Sequence, residues 1–213
     1  MQKIRRGMSV LSLFLLVAAQ GGFTQQAKAA TLTCVGLYSE TDAGSASYRG
    51  SSGAWVVLKV GDIIPADGEI RVNVERDWIE VVPSGNPNAV YEIAGSASEE
   101  VLRKVPEILK GKPKAVSFPG GSADRPDPKF KDKLVVTQYL GRQISMTADG
   151  RTKDIKYGDV LESGGRVTII AINNTITLMN ASGAATTVIG PLKFEVEKVL
   201  KNEQLYKFLN VPR

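Results

Sequence analysis

Two stretches of the chain could do chemistry and nearly repeat one another: "KVGDIIPADGEI" at residues 59–70 and "KYGDVLESGGRV" at 156–167. A lysine and an aspartate set around a glycine turn could transfer a proton or cradle an anion. The same residues could also be a turn that one fold needs twice. Folding alone accounts for each position. Gly61 and Gly158 suit a positive φ, Asp62 and Asp159 can accept backbone N–H groups and close the turn, and Gly68 and Gly165 precede an apolar strand. We therefore read these six residues as structural and look elsewhere for function.

Other chemistry is sparse. The sequence has no histidine and a single cysteine, Cys34, which removes the commonest general base, the usual triads and most zinc sites. No Gly-rich phosphate loop precedes a helix start. A carboxylate pair acting on polysaccharide cannot be located by spacing, so no catalytic residue, metal or cofactor is assigned. Trp78 is the main binding candidate. If Ile79 and Val81 face inward, then Trp78 and Glu80 face outward with Arg76 on their side, where an exposed Trp beside charges could stack on a sugar or anchor a partner protein. The alternative is that a helix covers this face. Trp55, in "AWVVLKV", reads as core.

The first thirty residues have a basic start, an apolar run from Met8 to Ala19 and Ala27-Lys28-Ala29, the pattern of a secretory signal peptide. Residues 1–30 are thus expected to be removed on export, by the general route rather than the twin-arginine one. Of 27 basic and 22 acidic residues, four basic ones (Lys3, Arg5, Arg6, Lys28) and no acidic ones lie there, leaving 23 against 22. That near-neutral balance gives no support for nucleic acid as a partner. No second run is long and apolar enough to cross a membrane. Cys34 follows the expected cleavage point closely enough to raise lipidation. Thr33 and the early end of the apolar run fit that poorly, so an ordinary cysteine is the expected reading.

The repeat extends well beyond the turn motif. At an offset of 97, Gly53, Lys59, Gly68, Ile79 and Val81 fall on Gly150, Lys156, Gly165, Ile176 and Leu178, and at 98 "EEVLR" (99–103) falls on "EKVLK" (197–201). Alternating apolar residues at 70–74 and 79–81 predict a hairpin with one buried face, followed by a strand at 89–93. In the second copy Ile170 and Ile172 make the opposite face apolar too, which predicts cover on both sides. A capping-box pattern, Ser96 with Glu99, predicts a helix carrying Val101, Leu102, Val105, Ile108 and Leu109, kinked at Pro106 and ended by Gly111. A second helix is expected at roughly 197–209. The Pro-, Gly- and charge-rich stretch between the copies reads as an exposed linker. The division is a first β unit plus helix (31–111), a linker (112–132) and a second β unit plus helix (133–213).

"VGDIIPADGEI" resembles a segment of the actuator domain of P-type cation pumps, but the pump's Thr-Gly-Glu and Asp-Lys-Thr-Gly motifs are missing, leaving a shared turn solution. "IKYGDVLESGGRVTIIAINNTITLMNASGAATTVIGPLKFEVEKV" (155–199) resembles the FecR-type β domain of bacterial envelope proteins, and residues 53–95 resemble it more weakly. The resemblance implies a mainly β fold of two FecR-like units, of β-sandwich or β-roll type. It also implies a non-catalytic, exported envelope module, periplasmic or extracellular, that binds a protein partner or cell-wall polymer. Too few residues precede the apolar run for the cytoplasmic anti-sigma segment of the family's signalling members. Alternative readings are a periplasmic regulator of a membrane sensor or a carboxylate-dependent enzyme acting on polysaccharide.

Overall fold

A computed structural model describes residues 30–39, 46–97 and 99–201. The fold is mainly β, in three sheets with no barrel. The first half contributes β1 (Leu32–Tyr38), β2 (Ala46–Arg49), β3 (Val56–Val57), β4 (Ile63–Ile64), β5 (Glu69–Val72), β6 (Trp78–Pro83), β7 (Ala89–Ala94) and β8 (Val101–Lys104), then the short helix α1 (Val105–Ile108). A two-residue strand, β9 (Lys114–Ala115), and a 3₁₀ turn at Pro128–Phe130 follow. The second half runs β10 (Lys133–Leu140), β11 (Ile144–Ala148), β12 (Arg151–Asp154), β13 (Val160–Glu162), β14 (Arg166–Ile169), β15 (Thr175–Met179), β16 (Ala185–Ile189) and β17 (Leu192–Glu195), then α2 (Val196–Leu200).

The pairings of the first half recur in the second. β1 pairs with β4 and β6 as β10 pairs with β13 and β15. β5 lies between β2 and β8 as β14 lies between β11 and β17. Both long strands carry a bulge at matching places, Cys34/Gly36 and Val136/Gln138. The large sheet has the order β16-β15-β10-β1-β6-β7-β9, joined at its centre by the parallel pair β1 and β10. The smaller sheets run β3-β2-β5-β8 and β12-β11-β14-β17.

The turn motif clips each half together. The Gly61 N–H donates to Cys34 O (2.8 Å) and the Cys34 N–H to Asp62 O (3.0 Å); Gly158, Val136 and Asp159 repeat this at 2.8 and 3.0 Å. Asp62 Oδ2 accepts the Lys59 N–H and Asp159 Oδ2 the Lys156 N–H. Gly61 and Gly158 have φ of 94° and 77°, where an L side chain is strained. Gly68 has no such φ; a Cβ there would stand 2.8 Å from Arg49 O and 2.9 Å from Pro65 O. The Gly68 carbonyl accepts the Val105 N–H and the Gly165 carbonyl the Val196 N–H, both at 2.9 Å, so each motif also anchors the helix of its own half.

Those anchors correct the alignment at the end of the repeat. Val105 corresponds to Val196, and "VLRK" (101–104) is β8, the counterpart of β17, rather than the helix expected from Ser96 and Glu99. Pairing across to β5 outweighs the local capping pattern here, because Val101 aligns with Val72 and a helix would leave the edge of β5 open. Pro106 therefore sits in the first turn of α1, where its missing N–H costs nothing, and kinks nothing. The helix expected at 197–209 begins at Val196; residues 202–213 lie outside the described residues, as do residues 1–29 of the expected signal peptide.

The stretch between the halves is pinned along its length. Val116 donates to Asn88 O, Asp127 donates to Ala181 O, and Phe118 packs on Tyr157 with ring centroids 5.2 Å apart. Ile170 and Ile172 are not covered: they are 57 % and 73 % exposed.

A Cβ on Gly61 would meet nothing within 4 Å, whereas on Gly158 it would collide with the Val116 side chain. Gly61→Ala should thus cost backbone strain alone, about 1 kcal/mol. Gly158→Ala should lose more, and the difference should shrink when Val116 is Ala in both backgrounds. Urea denaturation of the four proteins measures this; equal losses would show that the linker does not press on the second turn.

Candidate functional site

The large sheet has a different core on each face, and this decides the fate of the residues expected to point outward. Leu32, Cys34, Leu37, Ile79, Val81 and Ile93 join the core of the first half, while Val35, Val82 and Val90 join the core built mainly from the second. The face of β6 opposite Ile79 and Val81 is therefore covered by the second half and the linker. Among the described residues no helix of the first half covers it.

Glu80 is 1 % exposed there, which corrects the expectation that it faces solvent. Its Oε2 accepts the Tyr157 N–H at 2.9 Å and it also accepts the Tyr139 hydroxyl. Burial pushes its carboxyl above the ordinary 4.5, and the Tyr157 N–H, the Tyr139 hydroxyl, Lys114 and Lys156 offset only part of that shift. Tyr139 accepts from Trp78 Nε1 at 2.8 Å and fills the notch at Gly36, where any Cβ would strike its ring. Trp78 is half-buried: it stacks on Tyr38 at 3.7 Å with the rings 6° apart, and the Lys156 ammonium sits 4.7 Å from its ring. Lys156 also bonds Glu92 at 2.7 Å, and the Tyr157 hydroxyl donates to Pro87 O at 2.9 Å. The variable position of the repeated motif, Val60 in one copy and Tyr157 in the other, thus carries the junction between the halves. Of the expected trio, Trp78 and Glu80 belong to this junction, while Arg76 is exposed in the β5–β6 turn at φ 66°.

Cys34 is fully buried in the middle of the β1–β6 ladder. Burial, with Asp62 and Glu80 adding, pushes its thiol up to about 12, with a backbone hydrogen bond from Gly36 acting the other way. A lipidated cysteine would have to start the chain, whereas here Leu32 and Thr33 precede Cys34 in β1.

A second site was not foreseen. The outer face of the sheet β3-β2-β5-β8 carries Trp55, which reads as core in the sequence but lies half-exposed between two arginines. The Arg49 and Arg71 guanidiniums are 4.6 and 4.3 Å from the centre of its ring. Arg49 is held by Glu69 through Nε and Nη2 (3.0 and 2.8 Å) and Arg71 by Glu100 (3.1 Å). The ladder registers place Val57, Ser47, Arg71 and Leu102 side by side across the four strands. Val57 and Leu102 are 53 % and 42 % exposed. The corresponding row of the second half is Asp154, Ser145, Thr168 and Lys193, and the place of Trp55 opposite Arg49 is taken by Thr152 opposite Thr147, joined by a 2.9 Å hydroxyl bond. The signal in the sequence was that difference at matched positions, visible only once the repeat was in register.

Among the described residues no group of histidine, cysteine and carboxylate side chains could hold a metal, and no helix is long and apolar enough to cross a membrane. No protein-family model, curated protein or solved structure matches the chain.

Because Glu80 holds a proton more tightly folded than unfolded, its ionisation costs stability as pH rises. The cost begins at the unfolded value and levels off above the folded one. Glu80→Gln should remove that slope, so its stability relative to wild type should increase as pH is raised from about 4. Glu80→Ala should cost about 1–3 kcal/mol at low pH by orphaning the Tyr157 N–H and the Tyr139 hydroxyl, and the cost relative to wild type should shrink as pH rises, because this variant also lacks the titrating group. Thermal melts across pH give both; a Gln variant that tracks wild type would mean that Glu80 is not the titrating group.

Proposed function

We propose that the protein is a non-catalytic, exported envelope protein, a module of two FecR-like β units that binds a protein partner or a cell-wall polymer. Its binding surface is the outer face of the first small sheet. The observation that carries this reading is the contrast between two equivalent faces. One is an ordinary polar sheet surface carrying Thr147, Thr152, Thr168, Asp154 and Lys193. The other has Arg49, Trp55, Arg71, Val57 and Leu102 in those places, exposing apolar side chains beside the Trp and Arg types that anchor interfaces. Ion pairs with Glu69 and Glu100 hold the arginines over the indole, so little side-chain freedom remains to be lost on binding. A flat ring flanked by guanidiniums suits a sugar ring or the apolar edge of a protein equally.

Export rests on the signal-peptide pattern of residues 1–30, and the kinship with FecR-type domains on the spacing of Gly-Asp, Gly and strand in both copies. Glu80, a carboxylate 1 % exposed, is held inside the junction by Tyr139 and Tyr157. That weighs against an enzyme built on it.

Envelope extracts and insoluble peptidoglycan, each offered to immobilised wild type, Trp55→Ala and Thr152→Ala, test the reading. Retention should fall by about 2 kcal/mol or more, roughly 30-fold in Kd, for Trp55→Ala and stay unchanged for Thr152→Ala. Equal retention by all three would move the binding surface elsewhere.

A further inference from the structure

Sheet edges invite pairing with other chains, and proteins blunt them with charges or keep them short. The end strands of the three sheets follow this rule with one exception. β12 carries Arg151, Lys153 and Asp154, β17 carries Lys193 and Glu195, β8 carries Arg103 and Lys104, β9 carries Lys114, and β3 is two residues long. β16, "ATTVI", ends the large sheet and has no charge; none occurs anywhere from Asn180 to Leu192. Its counterpart in the first half, β7, is covered by β9, but β16 pairs only with β15 among the described residues.

Beside this open edge lie three exposed isoleucines. Ile189 is 61 % exposed and faces Thr175 across the ladder, while Asn174 O accepts the Gly190 N–H at 2.8 Å. That bond brings the loop after Ile170 and Ile172, themselves 57 % and 73 % exposed, to the same end of the strand. Large apolar side chains gathered at one place mark an interaction site more often than ones scattered singly.

The strand's own sequence points to its partner. Laid antiparallel on itself about Thr187, β16 sets Thr187 against Thr187, Ala185 against Ile189 and Thr186 against Val188. Small residues meet branched ones, every residue but alanine favours a strand, and no charge meets its own copy. Across a two-fold axis any charged residue near the axis would face a like charge, and β16 alone among end strands of useful length has none. We propose that a second copy of this chain docks on β16, edge to edge and antiparallel about Thr187, joining the two large sheets into one and covering Ile189, Ile170 and Ile172. This surface lies on a different sheet from Trp55 and does not depend on the function proposed above.

Light scattering on the purified protein tests this. Wild type should have the mass of two chains. Thr187→Lys and Thr187→Asp, each at an exposed position, should have the mass of one, with far-UV circular dichroism unchanged, and mixing them in equal amounts should restore the two-chain mass. Amide exchange in β16 should slow as protein concentration rises. Single-chain mass for wild type at its highest soluble concentration would overturn the proposal, as would two-chain mass in both separate variants. Protection of β16 that does not depend on concentration would also overturn it, by pointing to residues 202–213 or another segment of the same chain on that edge.

Discussion

The parallel pairing of β1 with β10 is the constraint on which the rest of the fold depends. Gly36 lies opposite Tyr139 although its equivalent at the matching bulge is Gln138, and this one-residue offset between the parallel strands turns equivalent residues, and with them the two halves, to opposite faces of one sheet. Each face therefore receives the small sheet of a different half. A residue that an isolated hairpin would show to water is then pressed into the other half's core. Glu80 is the costliest instance: its carboxylate is tolerated because Tyr139 and Tyr157 supply donors where water cannot. Gly36 is part of the same arrangement, because only a residue without a side chain lets the Tyr139 ring lie across β1 and meet both Trp78 and Glu80.

The two copies of the turn motif show how one element can hold a structural and a connecting role together. Glycine and aspartate in each copy do the same work, clipping a bulged strand and anchoring a short helix. The residue between lysine and glycine is left to vary. As valine it completes the core of its own half; as tyrosine it donates its N–H to Glu80 and its hydroxyl to Pro87 in the other. The neighbouring lysine at 156 adds the ion pair to Glu92 and sits over Trp78. These two consecutive residues thus join Tyr139, which bonds Trp78 and Glu80, in the side-chain polar contacts between the halves.

Much of this was legible in the sequence, and the limits have physical causes. Alternation at 70–74 and 79–81 located the strands β5 and β6 but not their pairing: the hairpin expected of them does not form, because β5 pairs with β2 and β8 while β6 pairs with β1 and β7 in another sheet. The positive φ at Gly61 and Gly158 was legible because the turn signal is local. The segment 101–104 was misread as helix because its capping pattern is local too, while the neighbour that makes it a strand, β5, lies some thirty residues earlier. The inward side of β6 was legible; the burial of its other side was not, since nothing within the first half encodes the second half lying there. Trp55 was assigned to the core from its apolar neighbours, although its register opposite Arg49 sets it outside. Matching the copies position by position would have shown a tryptophan where the other half keeps a threonine.

The central position of β1 also has a consequence for how the chain acquires its fold. The first half emerges from synthesis with β6 along one edge of β1 but only the two residues of β4 on the other, and the strand that completes that edge, β10, arrives about a hundred residues later. Until then Val35, Val82 and Val90 line an apolar face with nothing to pack on, beside a partly unpaired edge. High contact order of this kind slows folding and prolongs exposure to aggregation. The half-made chain thus keeps this apolar face open until the second half, whose Tyr157 receives Phe118 of the linker, has been made.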